Sequence, residues 1–468
     1  MFSFGSARLA SQLGMFVAMV LLARTCGPEA FGAVSFAMAM GMILATPADF
    51  GMSAGIQRFV GDLGEAVLRP AFAVKLGVSC AIAAAVLLAD RHLDVFRGLG
   101  PWIAAIVATS AFPFAIMAEN ARKRFLSAGL LQLGVTALFL VGALVGAVHW
   151  DPVAGPLAAR TVSFTLVGAA LVPLFLAGGP FLTSGFRQIL RMGSQVMVNG
   201  LLTQVVTRAD VILVAYLVGF EATGVYRAAL TLGSVPLLLQ PLFHAPFMPI
   251  IATQLQEGRT EMVRRLHRLS TAALAMVLIP ILLGGWVLAA PLLSRFYGDD
   301  YANAVWVMRL LLVASSAQVL LAPMGGILYM AGQVKVVTVT TATTALVLFV
   351  VALATIPSQG ITGAALAACA AQVGWLMLLT ALYHHRHPIS FSEWKLGRLA
   401  VAAAMTLAGA LALRGMADDW AGLLSALALI CAGYVAALAA LGLFAPARVL
   451  SLLREPTSSA DQLSGGED

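Results

Sequence analysis

Charge is what this chain has least of. Only 10% of its 468 residues are Asp, Glu, Lys or Arg, against about 25% in a soluble globular protein. Hydrophobic residues make up 60% of the chain, roughly 281 positions. Fourteen membrane spans of about 20 residues each need about 280. These proportions exclude a soluble enzyme, a nucleic-acid binder and a disordered chain, and they leave no residues for a large extramembrane domain. Cysteine is scarce as well. Of Cys26, Cys80, Cys369 and Cys431, three fall inside apolar stretches and no two share a loop, so neither a disulfide nor a metal site is suggested. No G-x-x-x-x-G-K-[ST], H-E-x-x-H or Ser/His/Asp grouping occurs, so the chain offers no P-loop motor and no catalytic group. The reading is a non-enzyme without cofactor or metal. His384, His385 and His387 stand beside Arg386 with no nearby acid or Cys, and read as a solvated basic loop. Arg24 and Thr25 precede Cys26 where a lipoprotein would have small residues, and the first apolar run lacks a cleavage site, so it reads as a retained helix.

What is present is an all-α polytopic pattern. Apolar runs fall at 8–23, 31–47, 71–89, 99–117, 126–148, 154–177 and 195–218, then at 223–252, 270–293, 304–331, 335–356, 360–382, 399–414 and 420–444. A polar tail runs to Asp468. With the N-terminus placed in the cytoplasm, 18 of the 28 Lys and Arg fall in cytoplasmic loops and ends, five on the opposite side and five within spans. That asymmetry is the one that orients membrane helices. It supports fourteen spans with both ends inside, and it accounts for the net charge of +7 without nucleic acid. Glu257 to Ser270, with Glu261 ahead of Arg264 and Arg265, reads as a short amphipathic helix at the inner surface.

A repeat appears at an offset of 192. Between Gly27–Gly41 and Gly219–Gly233, six of fifteen positions are identical: Gly27/Gly219, Glu29/Glu221, Ala30/Ala222, Gly32/Gly224, Ala37/Ala229 and Gly41/Gly233. Upstream, Ala23 matches Ala215. The first span thus corresponds to the seventh in the same direction, a parallel repeat about an axis along the membrane normal, as some transporters use. The expected organisation is a six-helix bundle at 1–190, a second at 191–383, two further spans at 384–445 and a polar cytoplasmic tail at 446–468. The substrate path would lie between the bundles.

Ionisable residues inside a membrane are costly and are read first as functional. Those in the spans are Lys75, Arg160, Arg208, Asp210, Arg227 and Arg309. Five of the six are positive, which suits an anionic substrate, and arginine suits phosphate through its bidentate fork. Lys75 and Arg160 read first as long side chains that snorkel to the interface, and for Arg227 and Arg309 that reading stands level with the functional one. Gln195, Asn199, Thr203, Thr207 and Asp210 form one polar stripe along span 7, facing a cavity or gluing helices together; Arg208 points to the other side. Span 8 holds Pro236, Pro241, Pro246 and Pro249 and must bend or break, with Arg227, Thr231 and Ser234 on one face before the first proline. Pro47 suggests a comparable bend in span 2.

Ala23-Arg24-Thr25-Cys26-Gly27-Pro28-Glu29-Ala30-Phe31-Gly32, then Asp49-Phe50-Gly51 and Arg58, resembles the start of the Wzx-like O-antigen and exopolysaccharide flippases. These belong to the multidrug/oligosaccharidyl-lipid/polysaccharide exporter (MOP) superfamily. Asp210, Gly224-Val225-Tyr226 with Ala228, and Ala331-Gly332-Gln333-Val334-Lys335 are similar to later signatures of that family. The resemblance covers roughly 8 to 380 and implies a MATE-like rocker-switch transporter of the bacterial inner membrane. Its cargo would be an undecaprenyl-pyrophosphate-linked oligosaccharide moved to the periplasmic leaflet, with a polysaccharide polymerase and a chain-length regulator as partners. Arg24, Arg58, Arg227 and Arg309 are then the candidates for phosphate or acidic-sugar contacts. Asn199, Thr203 and Asp210 are candidates for sugar contacts or ion coupling. The alternatives are a multidrug or cation antiporter on the same bundles, which would call for more acidic residues in spans 1 to 6, and a membrane enzyme, against which the short outer loops count.

Overall fold

The computed structural model describes residues 2–53, 56, 67–168, 186–386, 396–416 and 419–441. The chain is a succession of long apolar helices. They are α1 (Phe2–Asp49), α2 (Leu68–Leu93), α3 (Gly100–Thr109), α4 (Phe114–Ala121), α5 (Phe125–His149), α6 (Ala154–Gly168), α7 (Phe186–Leu217) and α8 (Phe220–Gly233). There follow α9 (Gln240–Gln256), α10 (Thr260–Val287), α11 (Ala289–Tyr297), α12 (Val305–Met330), α13 (Val334–Gln359), α14 (Ile361–Arg386), α15 (Leu396–Leu413) and α16 (Trp420–Ala440). Among the described residues, eleven segments are long and apolar enough to cross a membrane. The first of them, Ala7–Asp49, folds back at Gly27 and holds two crossings. The broken α8–α9 segment and α6 occupy the two remaining positions of the fourteen spans read from the sequence.

Gly27 sits at φ 72° and ψ 172°, outside the helical region, and turns α1 back on itself. Gly219, at φ 125° and ψ 176°, makes the equivalent turn between α7 and α8. Side-chain-free residues are needed here because both positions have positive φ. The end of the bundle that carries the two turns is called the hinge end below.

The repeat seen in the sequence becomes a reciprocal contact. A Cβ at Gly32 would stand 1.8 Å from the Phe220 carbonyl oxygen, and a Cβ at Gly224 would stand 1.8 Å from the Pro28 carbonyl oxygen. Phe220 follows Pro28 by the same 192 residues. Residue i meets j' while i' meets j, which is the signature of a two-fold interface. The pseudo-axis therefore passes between the second arm of α1 and α8.

Two compact units divide the chain, Met1–Ala275 with Leu292–Pro388, and Met276–Pro291 with Ile389–Asp468. In the first, Met52, Ile56, Leu68, Phe72 and Phe114 pack in one buried cluster, and Phe36, Ile103, Ile106 and Leu157 in another. In the second, Tyr434, Ala437 and Leu438 of α16 pack on Ala402 of α15 and Ile279 of α10. Asp419 caps α16 by accepting the Gly422 amide.

Several sequence expectations change. Glu257–Ser270 is not a separate surface helix: α10 runs unbroken from Thr260, and Val263, His267, Thr271 and Leu274 bury one continuous stripe across the supposed boundary. The C-terminal end of that span enters the separate helix α11. Span 8 breaks as its prolines require, with a 3₁₀ segment at Val235–Leu239 joining α8 to α9. Pro47 makes no such break, because it stands in the last turn of α1 and the backbone stays helical to Asp49. Span 4 is divided into α3 and α4 by a turn ending at Pro113. Gly332, at φ 75°, turns the chain between α12 and α13 within the Ala331–Lys335 motif.

Candidate functional site

Arg227 lies on α8 and lines a cavity of about 200 Å³. One wall comes from the first arm of α1, with Gln12, Met15, Phe16 and Met19, and the other from Thr231, Ser234, Val235, Leu237 and Leu238. Arg227, Thr231 and Ser234 share a face, as their three- and four-residue spacing predicts. The two hydroxyls donate to their own helix, Thr231 to the Arg227 carbonyl at 2.8 Å and Ser234 to the Thr231 carbonyl at 3.0 Å. Gln12 Oε1 is buried without a hydrogen-bond partner among the described residues. The cavity is thus apolar walls with one guanidinium and one unmet carbonyl oxygen. It is smaller than the roughly 300–1,000 Å³ of pockets that hold drug-sized ligands.

Two more arginines stand at a similar depth. By the 1.5 Å rise per residue, Arg160 is about 9 Å into α6 from its hinge end, Arg208 about 14 Å into α7, and Arg227 about 10 Å into α8. The Arg160 guanidinium lies 3.3 Å from the centre of the Phe164 ring, and its Nη1 is buried without an acceptor among the described residues. Arg160 therefore does not snorkel. Arg208 donates its Nε to Gln204 Oε1 at 2.7 Å on its own helix. Among the described residues, none of the three arginines has a carboxylate within 4 Å.

The nearest negative charge is Asp210, 4% exposed. Its Oδ2 accepts the Tyr226 hydroxyl at 2.6 Å and its Oδ1 the Val211 amide at 2.8 Å. Tyr226 is completely buried. Asp210 is thereby fixed by α8 and its own backbone, and it closes no ion pair among the described residues. Three positive charges and one negative charge leave this level of the membrane net positive. An unpaired charge at the centre of a membrane helix costs about 2.5–3.5 kcal/mol on insertion scales. That is a large fraction of the 5–15 kcal/mol that holds a domain together.

The other candidates fall elsewhere. Arg309 lies 4.9 Å from the Trp306 ring on its own helix α12. Arg24 is exposed at the end of the first arm of α1. Arg58 is outside the described residues, as is the side chain of Gln195. Thr203 is exposed and donates to the Asn199 carbonyl at 2.8 Å, while Asn199 Oδ1 is buried and unmet. The stripe on α7 therefore spans more than one environment. Lys75 is no snorkelling residue either: it pairs with Asp49 at 2.6 Å, and Asp49 also takes the Ser53 hydroxyl at 2.5 Å. No group of three or more His, Cys, Asp or Glu residues that could hold a metal occurs among the described residues.

Sequence reasoning missed a second set of residues at the hinge end. Arg97, one of the five cations counted on the side opposite the cytoplasm, donates Nη1 to the Ala215 carbonyl at 2.8 Å and Nη2 to the Tyr216 carbonyl at 3.1 Å. Tyr216 donates its hydroxyl to the Val95 carbonyl in return. Tyr301, in a 3₁₀ turn at Asp299–Ala304, donates to the Ala23 carbonyl at 2.8 Å. The one available signal was the Ala23/Ala215 match, which named the two acceptors without their donors.

Comparison with known proteins agrees with this architecture. Teichuronic acid biosynthesis protein TuaB of Bacillus subtilis (strain 168) is 25% identical over 150 residues, 32% of this chain and 31% of that protein. Lipopolysaccharide biosynthesis protein WzxC of Escherichia coli (strain K12) is 22% identical over 340 residues, 68% of this chain and 67% of that protein. The chain thus matches under a third of the first relative's length and about two thirds of the second's. Among solved structures, the lipid II flippase MurJ in an inward closed conformation superimposes with a TM-score of 0.75 over 93% of this chain and 98% of that one, at 14% identity. An inward-facing multidrug resistance MATE family transporter of the MOP superfamily gives 0.64 over 80% and 94%, at 15% identity. At such identities the likeness is one of fold, two six-helix bundles with two further helices. Residues 21–306 match the family described as polysaccharide biosynthesis protein, and the chain belongs to that family, a polytopic membrane protein with the fold of the MOP exporters.

Proposed function

We propose that the chain is a flippase carrying an undecaprenyl-pyrophosphate-linked oligosaccharide from the cytoplasmic to the periplasmic leaflet by alternating access. The single observation that carries this reading is the level of interior arginines without carboxylate partners, one of them lining a cavity between the first and second halves. A pyrophosphate is a doubly bidentate acceptor, and guanidinium groups match it geometrically as well as by charge. The apolar walls beside Arg227 suit the boundary between a charged head and a chain that stays in lipid. Arg227 is the primary phosphate contact in this account, with Arg208 and Arg160 extending the positive level. Arg24, Arg58 and Arg309 are peripheral contacts met on entry or exit. Asn199 and Thr203 face the sugar, and Asp210 holds the arginines in place or couples an ion. The cargo is moved unchanged, so no catalytic step is assigned.

The size of the cavity also supports alternation. An oligosaccharide does not fit in about 200 Å³, so the halves must part to admit one. The moving bodies are residues 1–190 and 191–383, with 384–445 as an added helix pair and 446–468 as a tail. Both ends lie in the cytoplasm and the hinge end faces the periplasm, in a bacterial inner membrane where a polymerase and a chain-length regulator take the product.

A multidrug or cation antiporter shares the fold but needs a free interior carboxylate. Asp49 is held by Lys75 and Asp210 by Tyr226, which speaks against it. Lipid analysis of cells depleted of the protein separates the two. Accumulation of a pyrophosphate-linked repeat unit on the cytoplasmic side is the expected result. Normal delivery of that lipid to the periplasm, with raised sensitivity to cationic compounds, would favour the antiporter.

A further inference from the structure

We infer that the hinge end is held shut by two reciprocal latches of unequal kind, Arg97 on the end of α7 and Tyr301 on the end of the first arm of α1, and that the Arg97 latch releases first. The inference rests on the alternating-access reading only for what opening does, not for the latches themselves. Their acceptors are equivalent: Ala215 follows Ala23 by the 192 residues of the repeat. Their donors come from equivalent places, the linker between α2 and α3 and the linker that leads into α12. Each half therefore reaches across the pseudo-axis to cap a helix of the other. Gly32 on Phe220 and Gly224 on Pro28 lie between them with backbone touching backbone, so the halves cannot separate here while both latches hold.

The chemistry of the two is different. Arg97 is exposed and charged, and its backbone is held at φ 53° so that the side chain turns toward α7. It meets the negative end of a helix dipole through two carbonyls. Its guanidinium stands 5.4 Å from the Tyr216 ring centre and 5.5 Å from that of Phe220, both residues of the second half. Dissolved anions and salt can reach it, and exposed charge interactions weaken as ionic strength rises. Tyr301 is neutral and 1% exposed, with its ring centre 5.3 Å from that of Tyr297 and the two rings tilted by 43°. Salt has no purchase on that contact. The exposed latch opens first, and the buried one serves as the pivot until it too gives way.

The test uses the full chain with Cys26, Cys80, Cys369 and Cys431 replaced by alanine. Thr231→Cys reports access to the cavity, through a membrane-impermeant thiol reagent added on the hinge side. Spin labels at Asp94→Cys and Val218→Cys, in a separate protein, report the width of the hinge end directly. Arg97→Gln should raise the labelling rate at least tenfold, a population shift equivalent to about 1.4 kcal/mol, and should widen the label distance. Arg97→Lys, which keeps the charge but not the fork, should fall between. Raising salt should speed labelling of the parent protein and leave Arg97→Gln unchanged, while Tyr301→Phe should respond to salt as the parent does. A parent-like rate and distance in Arg97→Gln, in a protein that elutes as a single species, would overturn the latch. A larger response to Tyr301→Phe than to Arg97→Gln would overturn the order. Widening of the spin-label distance with the cavity cysteine still unlabelled would keep the latches and remove the alternating-access reading.

Discussion

Gly32 and Gly224 stand 192 residues apart and do the same thing, each accepting a carbonyl of the other half where a Cβ would stand. Arg208, Asp210, Tyr226 and Arg227 have counterparts at the same offset, and these are Phe16, Ala18, Val34 and Ser35. The frame of the two halves is shared, but at these four positions the second half alone carries charge. A backbone contact admits only glycine on either side of the axis, so both copies are held to it. A ligand crossing a pseudo-axis is not itself symmetric, so nothing requires matching groups on both walls. Of the first half's interior cations, Lys75 is neutralised by Asp49, whereas Arg160 joins the arginines of the second half. The contrast between a paired lysine and unpaired arginines separates charge that holds a structure from charge that, in the function proposed above, receives an anion.

The largest effect is expected from breaking the frame. Gly32→Ala and Gly224→Ala should each prevent assembly of a stable protein, because a Cβ 1.8 Å from a carbonyl oxygen has no flexible neighbour to push aside. Their cost should exceed the usual 1–3 kcal/mol, roughly, of overpacking, and recovery from membranes should fall equally for both. Unequal loss would mean that the halves are less alike than their contacts imply. Arg227→Ser, which gives the second half the residue of the first, should reduce transport about a hundredfold, or about 2.7 kcal/mol of lost stabilisation. Its thermal midpoint should hold or rise, since an uncompensated charge is removed.

Asp49→Ala should do the opposite, lowering the thermal midpoint by the equivalent of about 1–2 kcal/mol. That is less than the roughly 3–5 kcal/mol lost when a fully buried pair is broken, because the Asp49 side chain is 27% exposed. Adding Lys75→Ala should restore most of the loss. Arg208→Gln and Arg160→Gln should each slow transport by about three- to tenfold, below one factor of ten or 1.4 kcal/mol, without changing stability for the worse. At the bottom of the scale, Arg264→Ala removes a pair with Glu261, whose side chain is 77% exposed. It should move the midpoint by less than about 0.5 kcal/mol.

Much of the frame was legible because it is written locally. Apolar runs gave the crossings, prolines located the break at Val235–Leu239, and the face shared by Arg227, Thr231 and Ser234 followed from helical spacing. The glycine repeat pointed to the axis before any contact was known. The pairings were not legible. Lys75 finds Asp49 across 26 residues and Arg97 finds Ala215 across 118. Which helices are neighbours is a property of packing, and a cation in a loop has the same composition whether it is solvated or capping a helix. The continuity of α10 was missed for a related reason. Its charged first turns resemble a surface helix until one sees that Val263 and His267 face protein.

The central claim is that the interior arginines form an anion seat, and equilibrium binding tests it most directly. Purified full-length protein in detergent can be titrated with a short-chain prenyl pyrophosphate, alongside Arg227→Ser and Lys75→Ala. The account predicts binding that weakens with salt, falls at least tenfold in Arg227→Ser and is unchanged in Lys75→Ala. Equal affinity of the parent protein and Arg227→Ser would contradict it.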